Sequence, residues 1–431
     1  MANDSLHAVL PAFTAALEAL KAAPQVQSAL EAVREDQDLR VREQIALTEI
    51  PSPPFMEDAR AEAFRKMLIE NGADEIEFMP VGGKAGNVIT VLKGTGCGPR
   101  LVMSAHLDSV FPAGTDVKVS KDEVGILHAP GISDDTCGLA CLLSIVRAVK
   151  KTRLPLTGDI VVVGTVGEEG NGDLRGTKAL WEARKDEFDG FVGIDSAAPN
   201  RILCGAMGSR RYRAVFTGPG GHSFHKFGVV ASANHALCRA GAKIADLEVP
   251  LDPKTTFTIG VMQGGTSVNA ISARAVMEID VRSSSGKELD QTAERILKLL
   301  DEAVAEENAR WEVSGDAAVA LKVEPIGFRP AGTSSPESPV IQAAHAALDA
   351  LGMPLDKYAF ASTDHNVPLS LGIPATTLGG GGREGNNHAL NEWWDPKDAW
   401  KGPQAALLTA LALVGVEGVA HPMLPTRRKR S

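Results

Sequence analysis

The stretch 159–166, DIVVVGTV, is apolar along its whole length and runs straight into Gly167-Glu168-Glu169. A strand without a polar face needs cover on both sides, so it belongs inside an α/β sheet. The neighbouring sequence repeats the pattern. Residues 87–92, 100–105 and 190–194 (GFVGI) are further β-rich runs, and helical periodicity fills 137–149 and 174–184 between them.

Farther out, residues 5–50 read as helical. Leu10, Phe13, Leu17 and Leu20 recur at three and four, a second helix covers 38–48, and Pro51, Pro53 and Pro54 end it. Residues 57–71 form another helix, stopped by Gly72. Near residue 210 the character changes. Residues 212–217 and 273–282 alternate, 255–261 and 311–324 are strand-like, and 231–247 and 287–308 are helical. This order predicts a small α+β sheet with two helices on one face. It is inserted into a discontinuous catalytic domain, with 1–210 and 326–431 as the host and 211–325 as the insertion.

Composition bounds the function. The chain has 431 residues, 44% hydrophobic and 23% charged, enough for two or three domains. A net charge of −10 argues against a nucleic-acid partner, which needs a clustered basic surface. The basic cluster at 427–430 reads as a solvated end. Five scattered cysteines (Cys97, Cys137, Cys141, Cys204, Cys238) without a CxxC pair point to a reducing compartment, and Cys137 and Cys141, four apart, to core roles. Asp4 stands where a leader peptide has a basic segment, and the apolar run 405–420 is broken by Gly415, Glu417 and Gly418. The expectation is a cytoplasmic protein without a membrane partner.

Three predicted strands end in metal-ligand residue types: His106 and Asp108, then Glu168 and Glu169, then Asp195. Asp134 lies on a loop entering the helix after 137, and His388 lies in GGGGREGNNH. Ligands bind outside the carboxyl ends of strands in open α/β sheets, so these side chains can converge. Imidazoles and carboxylates suit zinc, manganese or cobalt. Asp108 is placed to accept the second N–H of His106. One of the paired glutamates can hold metal while the other acts as base. Each residue also has a plainer reading, as a helix cap or a solvated turn. No GxSxG turn or phosphate-binding loop competes.

Taken in order, AHLDS, PGISDD, VGEEG, GIDS and GGGGREGNNH resemble the co-catalytic metallohydrolases, the family of aminoacylase, carboxypeptidase G, succinyl-diaminopimelate desuccinylase, acetylornithine deacetylase and peptidase T. The resemblance implies a zinc-peptidase-like α/β domain, its mixed sheet set between helices, with a small α+β dimerisation (lid) domain. It implies two divalent ions, one on His106 and Asp195, the other on Glu169 and His388, with Asp134 bridging. Glu168 matches the general base and Asp108 its supporting aspartate. GPGGHSFHKFG gives His222 as an oxyanion donor, while GGTSVNAIS and DVRS give Asn269 and Arg282 as carboxylate contacts. Thr136-Cys137-Gly138 departs from the lysine that many members carry, and His225 has no counterpart. His365, Arg210 and Arg211 are further candidate substrate contacts. The expected reaction is hydrolysis of a C–N bond in a small carboxylate-bearing substrate by a homodimer or larger assembly. The alternatives are an aminohydrolase acting on an aminobenzoate and a catalytically inactive metal-binding scaffold.

Overall fold

The computed structural model describes residues 8–83, 85–96 and 98–427. Asp4, Cys97 and the tail from residue 428 lie outside the described residues. The chain forms two compact units, Met1–Ala206 with Thr333–Ser431, and Met207–Gly332.

The first unit is built on a nine-stranded mixed sheet. Seven strands run in the spatial order Ile76–Pro80, Gly86–Leu92, Asp159–Thr165, Arg100–His106, Gly190–Ile194, Ala375–Leu378 and Arg201–Ala206. Lys357–Ala361 lies parallel to Arg201–Ala206. Arg100–His106 is parallel to both its neighbours, whereas Gly86–Leu92 is antiparallel to both of its own.

Alternation explains the two-sided apolar runs. Leu101, Met103, Ile160 and Val162 point into one core with helices Thr136–Thr152, Pro339–Ala350 and Lys401–Val414. Val102, Val161 and Val163 point into another with Trp181, Phe188 and Phe191. Each strand is therefore sealed on both faces. The apolar stretch from 405 is mostly a buried core helix, Lys401–Val414. Among the described residues no helix is long and apolar enough to cross a membrane.

Among the described residues the amino-terminal helices number three: Pro11–Ala22, Pro24–Glu35 and Gln37–Thr48. The middle one lies within the stretch 5–50 read as helical, but its own bounds were not expected. It starts with Pro24 in its first turn, where the missing N–H costs nothing. Strands Ile76–Pro80 and Arg201–Ala206 also had no clear signal in the sequence; the first is a half-exposed edge.

The second unit is a four-stranded antiparallel sheet ordered Thr255–Gly264, Arg274–Ser283, Gly208–Thr217, Ala320–Arg329. Helices Ala233–Ala245 and Gly286–Arg310 bury Ala236, Leu237, Ile296 and Leu300 against Phe216, Met277 and Ile279. The expected strand 311–324 begins only at Ala320, because Gly315–Ala317 forms a 3-10 turn first.

Candidate metal centre

Register builds the site. His106 pairs with Thr165, and Ser104 pairs with both Val163 and Gly193. His106, the Glu168–Glu169 pair and Asp195 therefore leave the sheet at one carboxyl edge. Asp134 comes from the loop before helix Thr136–Thr152. Asp135 caps that helix by accepting from the Gly138 amide, and its other oxygen accepts from the His106 amide at 3.0 Å. One buried carboxylate thus fastens the helix start to the strand end. His388 arrives on the glycine run after Ala375–Leu378. A Cβ on Gly380 would lie 2.8 Å from Cys137 Sγ, and one on Gly381 2.1 Å from the Ala399 carbonyl. Only glycine lets this loop pass so close to both helix starts.

The side chains converge. Asp134 Oδ1 lies 2.9 Å from His106 Nε2, and Asp134 Oδ2 lies 3.1 Å from His388 Nε2. His388 Nε2 is also 3.0 Å from Glu169 Oε1. His106, Asp134 and Glu169 offer donor atoms within 4.8 Å of one another. Asp195 and Glu168 line a cavity of about 10 Å³ beside His106, with Ser104, Thr363 and Asp364.

Asp108 acts differently from the expectation. Its carboxylate is 3.6 Å from His106 Nδ1, and the nearer acceptor is its own backbone carbonyl at 3.1 Å. The carboxylate instead accepts from the Glu168 and Glu169 amides, at 2.9 and 2.8 Å. It orients the glutamate pair.

Electrostatics test whether a cation fits. Burial, and then the charge of Asp134, pushes Asp195 up to about 7. Burial and Asp134 likewise raise Glu169, against its bond to His388. Burial works against charge on Asp134 too, but His106 and His388 outweigh it and hold its carboxyl below the usual range. Bonds to Asp134 and Glu169 push His388 up to about 11. Several carboxylates here compete for the positive charge of two imidazoles. Nitrogen and oxygen donors so crowded with negative charge fit divalent transition metals.

A family model described as Peptidase family M20/M25/M40 matches residues 102–412, from the His106 strand into the last helix. The chain belongs to this family. As a member of M20 it is a hydrolase acting on C–N bonds of the amide and peptide type. The uncharacterised protein YqjE of Bacillus subtilis (strain 168) is 26% identical over 352 residues, covering 78% of this chain and 89% of that protein. A tripeptidase structure from Staphylococcus aureus is similar with a TM-score of 0.72 at 22% identity, covering 86% of this chain and 97% of its own. A Bacillus subtilis structure described as a dinuclear metal binding peptidase from the M20 family gives 0.64 at 18% identity, covering 88% and 99%.

In the second unit of this M20 chain, His222 and Asn269 line one cavity of about 660 Å³, together with Gln263, Thr266 and Arg274. Arg274 adds a cation that the sequence reading missed. Arg282 does not line that cavity. Asp280 accepts its Nε at 2.6 Å, and its two terminal nitrogens have no partner among the described residues. Arg211 shares Asp280 at 3.1 Å. Arg210 pairs with Asp290 and stacks 4.4 Å from the Phe328 ring, so its charge is already engaged.

His365 corrects an expectation. It is fully buried, with Nδ1 2.9 Å from Thr377 Oγ1 and 3.0 Å from Thr363 Oγ1, and has no surface for substrate. Beside it, Asp364 accepts from Thr165 Oγ1 at 2.6 Å. Glu392, also missed, is fully buried against the Asp134 loop. A glutamate near a turn ordinarily reads as solvated, and nothing local marks these two acids otherwise.

Proposed function

We propose that this M20 chain is a two-metal hydrolase cleaving an amide-type C–N bond in a small carboxylate-bearing substrate. The observation that carries the reading is the Asp134 carboxylate, with one oxygen on His106 and the other on His388. In this reading His106 and Asp195 hold one ion, Glu169 and His388 the other, and Asp134 both. Zinc suits the donors, with manganese or cobalt as alternatives. Two such ions, when bound, supply the Lewis acidity that activates water and polarises a carbonyl.

The protein's own groups do the rest. Glu168, oriented through its amide by Asp108, takes a proton from the attacking water. It returns that proton to the leaving nitrogen as the C–O bond forms and the C–N bond breaks, giving a carboxylate and an amine. His222 donates to the oxyanion. Asn269 in the His222 cavity and, separately, the terminal nitrogens of Arg282 are the candidate contacts for a substrate carboxylate. The working form is a homodimer or a larger homo-oligomer; a monomer mass by light scattering at micromolar concentration overturns that part.

The test is a mass-spectrometric product screen with small peptides, N-acyl amino acids, N-succinyl and N-acetyl diamines, and aminobenzoates. Labelled water appearing in a new carboxyl group, absent with Glu168→Ala, is the expected result. Replacement of the ring's amino group by a hydroxyl, with release of ammonia, overturns amide hydrolysis in favour of aromatic deamination.

A further inference from the structure

We infer that Glu392 is a positioning residue that fixes the distance between Asp134 and His388. The two residues belong to segments far apart in sequence, and Glu392 joins those segments. It sits four residues past His388. Its Oε1 accepts from the Ser133 amide at 2.9 Å, the Ser133 hydroxyl at 2.7 Å and the Asp134 amide at 3.2 Å. Its Oε2 accepts from the Gly131 amide at 2.9 Å. The Ala129 amide also donates to the Glu392 carbonyl at 3.2 Å.

Four donors thus meet one carboxylate, and three of them are backbone amides of the loop that presents Asp134. The chemistry explains why the residue is an acid. An ionised carboxylate is acceptor-only and can take all four bonds. A glutamine at 392 keeps one oxygen but turns an NH₂ toward either Gly131 or the Ser133–Asp134 amides, so donor faces donor. The loop then withdraws from the His388 segment, and Asp134 is held less well between the two imidazoles. Groups that orient ligands in this way typically change metal affinity by roughly 10- to 100-fold.

The inference rests on Asp134 and His388 being metal ligands, and the experiment separates the two ideas. Cobalt(II) is titrated into the metal-free full chain, following the visible absorption bands and the melting temperature with and without cobalt. Wild type, Asp134→Ala, Glu392→Gln and Ser133→Ala are compared. Expected are tight binding by wild type, loss in Asp134→Ala, and at least tenfold weaker binding with altered bands in Glu392→Gln. Ser133→Ala, which removes one hydroxyl donor and keeps the three amide donors, should show a smaller weakening in the same direction. It carries the test if Glu392→Gln melts too early to titrate. Wild-type affinity and bands in Glu392→Gln, or in Ser133→Ala where that variant carries the test, overturn the positioning role alone. Cobalt binding in Asp134→Ala equal to wild type overturns the ligand reading, and the role of Glu392 with it.

Discussion

Asp134 Oδ2 lies 3.1 Å from Nε2 of His388, a residue 254 positions further along the chain. The contact exists because a helix-capping loop and a glycine-rich loop meet at the carboxyl edge of one sheet. Without a cation, Asp134 adds its charge to buried Asp195 and Glu169, raising both. Chelation should therefore lower the melting temperature, and zinc, manganese or cobalt should restore it. The gain is about 2.7 kcal/mol when free ion stands at 100 times its Kd. Asp134→Ala should abolish the ion-dependent rise, as read by differential scanning fluorimetry. A rise of wild-type size in that variant counts against the site.

Glu168 has its backbone fixed by Asp108 and is not needed as a ligand in the proposed assignment. Glu168→Gln should keep the bound metal, measured by mass spectrometry of the digested protein. Its kcat should fall by roughly 10²- to 10⁴-fold, the usual contribution of a general base. Loss of metal together with activity would instead make Glu168 a ligand.

Residue type and strand-end position were enough to gather His106, Glu168, Glu169 and Asp195, because parallel neighbours in register present their carboxyl ends together. The sheet was legible for a related reason: strands such as 159–166 must be apolar when both faces are covered. What stayed hidden depended on distant partners. Arg210 and Arg282 look alike as letters, yet Asp290, 80 residues from Arg210, engages one while the other's terminal nitrogens have no partner among the described residues. His365 read as a candidate substrate contact, but Thr363 and Thr377, one of them 12 residues on, close around it. Glu392 was invisible because its four donors come from a segment about 260 residues earlier.

The two arginines give a paired test. Arg282 presents terminal nitrogens suited to a bidentate carboxylate. Arg282→Ala should raise KM for a carboxylate-bearing substrate by roughly tenfold or more, the scale of one lost charged hydrogen bond. Arg210→Ala should leave KM near wild type, since Asp290 and Phe328 already hold that side chain. Steady-state kinetics on the substrate found in the product screen decide between them, and equal effects on KM would remove Arg282 from the site.

His365 predicts a pH dependence of stability. Its imidazole is fully buried, and burial lowers its pKa from 6.5 to about 4. Between those values the unfolded chain binds a proton that the folded chain refuses, so stability rises with pH across the window. The contribution is complete above pH 6.5 and is lost as pH falls toward 4, amounting to roughly 3 kcal/mol over the whole window. His365→Gln, with no proton to gain, should flatten the slope of unfolding free energy between pH 4 and 6.5 in urea titrations. The comparison is made as a difference from wild type, so that Asp195 and the other buried acids cancel. A parallel pair of pH profiles would mean that His365 is protonated in the folded state and that its two threonine partners accommodate the charge.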